Sequence, residues 1–194
     1  MKFYQGNIYH IYNRGNNSQP IFFEEENYLY FLKKMRRFLL PHCNVLAWCL
    51  MPNHFHWMIK IKENSELGMV SELNKSIGIL LRSYTRAINR RYNKSGSLFQ
   101  AKTKSKNLNN CETDGKNYPL ICFLYIHQNP LRAALVNEIG NWSFSSFKDY
   151  SGKRKGTLCN IEMTRNLLDL PSNNEEFLKL SKKTIPEKYA DLIL

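Results

Sequence analysis

The chain has 194 residues and a mass of 22.9 kDa, which suits one domain with a terminal extension. Hydrophobic residues make up 43% of it and charged residues 23%, so there is enough apolar surface for a core and a disordered polyelectrolyte is excluded. The net charge is +12, no apolar run reaches the roughly 18 residues of a spanning helix, and the first residues carry no secretory pattern. We therefore expect a cytoplasmic protein that does not enter a membrane.

The first half of the chain predicts three strands and one helix. Alternating residues from Ile8 to Asn13 indicate a strand. From Glu24 to Leu40 apolar residues recur at three-to-four spacing, which predicts an amphipathic helix that Pro41 ends. The apolar run from Cys43 to Met51 predicts a buried strand, and a tight Pro-Asn turn returns the chain as another strand from His54 to Ile61.

The second half adds one more strand and several helices. The predicted elements are a helix from about Ser65 to Tyr92, a strand from Phe99 to Leu108, a helix from Tyr118 to Gln128 that Pro130 interrupts or restarts, and short helices around Thr164 to Leu170 and Glu175 to Lys182. The two central strands are joined too tightly for a parallel crossover. This order predicts an α+β fold in which helices pack on an antiparallel sheet, of the split-βαβ, ferredoxin-like kind.

Positive charge is concentrated in residues 73–111, which contain nine Lys and Arg side chains and no Asp or Glu. An acid-free basic segment suits the neutralisation of nucleic-acid phosphates, although a solvated face that aids solubility is the alternative. Interleaved Tyr84, Tyr92 and Phe99 are candidates for stacking on unpaired bases. The DNA contacts that we expect are Arg14, Arg82, Arg86, Arg90, Lys102, Lys104, Lys106 and Arg132.

Two histidines separated by one residue form the sharpest local feature. His54 and His56 lie on a predicted strand, so both imidazoles project from one face and form half of a divalent-metal site. Two unrelated histidines beside a turn are the alternative. His10, on the first predicted strand, either approaches this site or is an ordinary core histidine.

A tyrosine on the predicted third helix is the second candidate for chemistry. Tyr125 and Asn129 are four residues apart and share a helical face, so an amide oxygen can complete a His-His-oxygen cation site beside a phenol. A phenol beside a cation becomes a plausible nucleophile. The alternative is a core tyrosine, in a chain that contains eleven tyrosines.

The five cysteines give no sign of a structural metal or disulfide framework. Their number is odd, no CxxC pair occurs, and Cys43 and Cys49 sit in an apolar run. We therefore expect reduced and mostly buried cysteines.

Four blocks of this sequence resemble one family. WCLMPNHFHWMIKI is similar to the histidine–hydrophobic–histidine (HUH) motif of single-tyrosine transposases, both the small insertion-sequence enzymes and the REP-associated tyrosine transposases. YIHQNPLRAALV resembles their nucleophile helix, and YHIYNRGNN and SGSLFQAKTKSK resemble further blocks of the family. The resemblance covers about residues 4–150, with the blocks in the family's order.

The resemblance implies a HUH endonuclease architecture and a role in DNA transposition and recombination. His54, His56 and Asn129 would bind Mg²⁺ or Mn²⁺, with His127 and Gln128 as rivals of Asn129. Tyr125 would attack a phosphodiester of single-stranded or hairpin DNA and form a 5′-phosphotyrosine link. Residues 1–150 would be the catalytic domain and residues 151–194 an extension of unknown role; a homodimer is possible and a monomer is not excluded.

Three positions and two rival functions qualify this prediction. Ala101 and Lys102 stand where relatives have glycine and arginine, and Ala134 stands where glycine is usual, a change expected to affect packing only. Lys keeps the charge of Arg but loses its bidentate fork. One rival function is a single-strand nucleic-acid-binding protein without catalysis. The other is an RNA phosphodiesterase that uses the two histidines as acid and base.

Overall fold

Four strands and six helices make up the part of the chain that the computed structural model describes, which is residues 1–63, 71–109 and 118–186. The strands are β1 (Ile8–Arg14), β2 (Cys43–Met51), β3 (His54–Ile61) and β4 (Lys104–Asn107). The helices are α1 (Glu25–Leu39), α2 (Ser71–Arg91), α3 (Tyr118–Arg132), α4 (Phe147–Tyr150), α5 (Ile161–Leu168) and α6 (Asn174–Ser181). The predicted start of α2 near Ser65 lies outside the described residues. None of the described helices is long and apolar enough to cross a membrane.

All four strands pair antiparallel in the order β2-β3-β1-β4. The chain runs β1, α1, β2, β3, α2, β4, so each of the first two helices connects non-neighbouring strands. This arrangement is the split-βαβ, ferredoxin-like sheet, and the predicted α+β fold class is confirmed.

One face of the sheet is covered by α1 and α2. Phe55 and Trp57 of β3 project to this face, and the ring of Phe31 on α1 lies 5.5 Å and 5.8 Å from their ring centroids. Tyr84 of α2 closes the cluster and donates a hydrogen bond of 2.7 Å to the Ile21 carbonyl. Full burial of each such aromatic contributes roughly 1.5–3 kcal/mol, so this face is the main core.

The other face of the sheet carries α3 and the C-terminal helices. Phe177 of α6 packs 5.7 Å from Phe147 and 6.0 Å from Tyr150, measured between ring centroids. At the start of the 151–194 extension, Arg154 donates to the Asp149 carboxylate at 2.6 Å and 3.0 Å. Residues 151–186 are therefore bound to the rest of the fold, while the domain division at residue 150 stays a prediction.

Two elements differ from the sequence-based prediction. β4 spans four residues instead of the predicted ten, because the segment before it bonds irregularly to the end of β1. The backbone N–H of Gln100 donates to the Arg14 carbonyl at 2.9 Å. Lys102 therefore precedes the strand. α3 continues through Pro130 to Arg132, because the proline removes one backbone donor without turning the chain aside.

Ala134 corrects an expectation about packing. Its φ is +53°, in the left-handed region that favours glycine, so alanine at this position strains the backbone where we expected an effect on packing only. Cys43, Cys49, Cys122 and Cys159 are buried and free, which confirms the prediction for these four; Cys111 lies outside the described residues.

Candidate active site

Adjacent strands bring the two histidines of β3 together with residues of β1. In the antiparallel register His56 lies opposite Tyr12 and His54 lies opposite Arg14. Because alternate residues of a strand share a face, both imidazoles project to the face that carries α3. Their ring centroids are 5.0 Å apart and the ring planes are perpendicular, so the two imidazoles lie side by side on one face of the strand, as predicted.

His56 is buried with one ring nitrogen engaged and the other open. Its Nδ1 lies 2.9 Å from Nε2 of His10 on β1, so His10 is both a core residue and a neighbour of the site. Its Nε2 is buried and has no hydrogen-bond partner among the described residues. Burial first, and then the nearby His10, hold the pKa of His56 well below its usual value, so the ring is neutral.

His54 is oriented by a short chain of hydrogen bonds. Asn53 donates from Nδ2 to the Ser18 carbonyl at 3.1 Å, which turns its Oδ1 toward Nδ1 of His54 at 2.6 Å. An amide oxygen only accepts, and the contact of Nδ1 with the Asn53 oxygen is shorter than the 3.4 Å contact of Nε2 with the Asn129 oxygen. The shorter contact assigns the proton of the neutral ring to Nδ1 and leaves a lone pair on Nε2. Burial lowers the pKa of His54 to about 4, so this ring is neutral as well.

Helix α3 places its phenol and its amide beside these rings. The Tyr125 ring centroid lies 5.8 Å from that of His56, and Oδ1 of Asn129 lies 3.4 Å from Nε2 of His54. Burial raises the pKa of the Tyr125 phenol, while the Asn129 side chain and the Arg132 charge partly oppose this rise. The phenol, the amide and the two imidazoles therefore lie side by side within one chain.

The two rivals of Asn129 point away from the site. His127 is buried among aromatic rings, and its Nε2 lies 2.7 Å from the Ser146 hydroxyl. Gln128 donates to the Ser181 and Lys183 carbonyls at 2.8 Å and 2.9 Å. Only Asn129 of these three lines the cavity that contains His54.

The donor set fits a divalent cation. His54 and His56 offer imidazole nitrogens, Asn129 offers an amide oxygen, and the unpartnered buried Nε2 of His56 is a polar atom that lacks a ligand. Within the described residues no group of three or more His, Cys, Asp or Glu side chains could hold a metal ion, so a cation here would depend on two imidazoles and one amide. The low histidine pKa values disfavour the acid–base mechanism of the RNA phosphodiesterase hypothesis.

A cavity of 310 Å³ opens over these groups. Arg14, Lys102 and Lys104 line it, so three of the expected DNA contacts lie beside the histidines. Arg82 and Arg86 line a second, neighbouring cavity of 590 Å³. The other expected contacts, Arg90, Lys106 and Arg132, line neither of these two cavities.

The predicted base-stacking aromatics are mostly core residues. Tyr84 and Phe99 are buried, and the Tyr92 hydroxyl donates to Glu24 at 2.7 Å. Sequence reasoning missed the supporting role of Asn53 and left the role of His10 open. The alternation of His10 on β1 was a signal for the face that it shares, but the register that brings it to His56 was not readable from the chain.

Comparison with solved structures shows which known fold this chain resembles. No protein-family model matches the sequence, and no curated protein does either. A solved structure of a REP-associated tyrosine transposase bound to a REP hairpin is similar over 78% of this chain and 83% of the other, with a TM-score of 0.58 and 16% sequence identity. This similarity agrees with the resemblance of the four sequence blocks, and the chain has the fold of a REP-associated tyrosine transposase.

Proposed function

We propose that this chain is a HUH-type single-tyrosine transposase that cleaves and rejoins single-stranded DNA through Tyr125. The observation that carries the proposal is the 5.8 Å approach of the Tyr125 ring to His56 within one chain. The four sequence blocks and the shared fold support it. A tyrosine that only packs in the core would not require two neutral imidazoles and an amide oxygen beside it.

A divalent cation, Mg²⁺ or Mn²⁺, would be held by His54, His56 and Asn129. Such a cation polarises a phosphate oxygen and favours deprotonation of a neighbouring hydroxyl. The protein supplies the orientation: Asn53 sets the ring of His54, and His10 contacts the ring of His56. Without a cation the Tyr125 phenol is protonated near neutral pH, and burial raises its pKa further above the usual value.

The reaction joins the Tyr125 oxygen to the phosphorus of a phosphodiester and breaks the bond from phosphorus to the 3′-oxygen. The phenol gives up one proton and the leaving 3′-oxygen takes one from water, so protons balance. The product is a 5′-phosphotyrosine and a free 3′-hydroxyl. A 3′-hydroxyl of another strand can displace the tyrosine, because the phosphoester link is conserved and no external energy is required.

The DNA would enter over the basic rim of the site. Arg14, Lys102 and Lys104 line the cavity and are suited to phosphates on either side of the cleaved bond. We expect further contacts with the DNA along the surface, from Arg82, Arg86, Arg90, Lys106 and Arg132. Single-stranded or hairpin DNA is the proposed partner, and one chain holds every group that the reaction requires.

The test is the polarity of a covalent adduct. A pool of random single strands is labelled at the 3′ end or at the 5′ end and mixed with protein and Mn²⁺. We expect the 3′ label alone to migrate with the protein on a denaturing gel. Tyr125→Phe should bind the strands without forming the adduct, whereas Tyr30→Phe, exposed on α1, should form it.

The histidines are tested with the same assay. His54→Ala with His56→Ala should lose the adduct and Mn²⁺ binding together. An adduct that persists in Tyr125→Phe would assign the nucleophile to another residue. A wild-type protein that binds the strands but never forms an adduct would leave the single-strand-binding protein without catalysis as the function.

A further inference from the structure

The 590 Å³ cavity adjoins the active-site cavity at the end of β1. Asn13 and Gln100 line both cavities, so the two cavities are immediate neighbours. The wall of the larger cavity comes from α2 and from residues 97–103, the segment that connects to β4. The larger cavity is therefore placed to receive a nucleotide that flanks a strand held at His54 and His56.

Two arginines give this cavity its charge. Arg82 and Arg86 are four residues apart on α2, so their side chains share a helical face. Among the residues that the structure describes, no carboxylate lines the cavity and neither guanidinium forms a salt bridge. Two unpaired guanidiniums suit the phosphates of a nucleic acid.

The remaining wall suits a base. Gln100 and Thr85 offer an amide and a hydroxyl, and Leu81 and Phe99 form an apolar floor. The Asn13 amide is already engaged with the Gln100 carbonyl at 3.2 Å and the Thr103 hydroxyl at 3.0 Å, so it shapes the wall. Polar groups over an apolar floor match the edge and the face of an unpaired base.

A glycine inside α2 leaves room for one of these arginines to lie against the helix. A Cβ atom at Gly78 would lie 2.9 Å from Nη1 of Arg82, so the guanidinium packs directly on the glycine. Glycine in a helix interior is about 1 kcal/mol less favourable than alanine. The glycine at this position thus gives up helix stability and leaves room for Arg82 to lie along the cavity wall.

We propose that this cavity, the flanking-nucleotide pocket, binds an unpaired nucleotide next to the phosphodiester that Tyr125 attacks. Arg82 and Arg86 contact its phosphate, and Gln100 contacts its base. The pocket thus contributes to the choice of cleavage sequence. This inference rests on the proposed function, because it takes the strand to be centred on His54 and His56.

The test measures binding without catalysis, in EDTA and with Tyr125→Phe in every protein. The probe is a labelled random-sequence single strand of about 20 nucleotides, a length that exceeds one binding site. Arg82→Gln and Arg86→Gln should each weaken binding roughly tenfold and reduce the salt slope by about one. Arg36→Gln removes the same charge from the exposed surface of α1 and should change the affinity far less.

Gly78→Ala distinguishes an effect on binding in the pocket from a loss of fold stability. The new Cβ displaces the Arg82 guanidinium and keeps its charge, so binding should weaken severalfold. The helix should gain about 1 kcal/mol, so the unfolding temperature should not fall. The pocket proposal would be overturned if Gly78→Ala kept the wild-type affinity and salt slope. It would also be overturned if Arg36→Gln weakened binding as much as Arg82→Gln does.

Gln100→Ala tests the contact to the base. Sequences recovered from the random pool by cleavage with Mn²⁺ should change beside the cleaved bond, while affinity for a strand without bases should stay at the wild-type value. An unchanged sequence preference overturns the base contact. If the adduct forms but the pocket variants bind as the wild type does, the pocket is wrong and the proposed function stands. If the pocket variants weaken binding but no adduct forms, the pocket binds a strand and the proposed chemistry is wrong.

Discussion

His10 and His56 face each other across neighbouring strands, with Nε2 of His10 2.9 Å from Nδ1 of His56. One proton lies between these two nitrogens. When it belongs to His56, the buried Nε2 of that ring is a lone pair facing the cavity, as a metal ligand requires. His10 would therefore orient a ligand without touching the cation or the DNA.

His10→Leu should lower the affinity for Mn²⁺ by roughly 10–100-fold, because the loss of a group that orients a metal ligand has effects of this size. Isothermal titration with Mn²⁺ measures the change. His127→Gln, also a buried histidine but bonded to Ser146, is the matched control and should bind Mn²⁺ as the wild type does. Equal affinities in His10→Leu and the wild type would remove His10 from the site.

Assembly of the site within one chain predicts the outcome of mixing two inactive variants. Tyr125→Phe lacks the proposed nucleophile, and the His54→Ala, His56→Ala variant lacks the two proposed histidine ligands of the cation. Because Tyr125 lies beside His56 of its own chain, a mixture of the two should form no adduct. Adduct formation in the mixture, measured on the same denaturing gel, would instead show a site shared between two subunits.

His127 predicts how stability depends on pH. Burial lowers the pKa of this residue to about 3, whereas the unfolded chain binds a proton near the ordinary histidine value. Between these two values the unfolded state binds more protons, so the free energy of unfolding falls as the pH falls. At a pH of about 5 this histidine alone should account for roughly 2 kcal/mol of the loss.

His127→Gln isolates this contribution, because glutamine can still bond to Ser146 and does not titrate. Urea unfolding at neutral and at acidic pH should show a smaller loss in His127→Gln than in the wild type. Equal losses in the two proteins would mean that the ring is protonated in the folded state.

Ala134→Gly should stabilise the protein by roughly 1 kcal/mol, because glycine adopts the positive φ of this position without strain. Thermal or urea unfolding measures the gain. The neighbouring Ala133 has no positive φ, so Ala133→Gly should destabilise instead. A loss of stability in both variants would contradict the strained conformation at residue 134.

Local patterns predicted much of this fold. The bounds predicted for β2 and β3 match the structure, because a continuous apolar run and a tight turn leave little choice of register. β4 was predicted too long, because residues 99–103 bond irregularly to the end of β1, a contact between segments far apart in sequence. The φ of Ala134 is likewise a property of the folded turn.

The site was predictable where its geometry is local. The i, i+2 spacing of His54 and His56 and the i, i+4 spacing of Tyr125 and Asn129 each define one face of one element. The contact of His10 with His56 depends on strand register, which no local pattern defines. Tyr84 lies on the apolar stripe of α2 with Leu80 and Ile88, so the helical period already indicated its burial, and the prediction that it stacks on bases was wrong.

Helix α3 is fastened on two sides. Tyr125 and Asn129 face the sheet, while Gln128 donates to two carbonyls of the C-terminal segment and His127 contacts Ser146. Because these bonds hold α3 on both sides, we expect the Tyr125 side chain to keep its position during the proposed reaction. The DNA ends, rather than the tyrosine, would then have to exchange places between cleavage and rejoining.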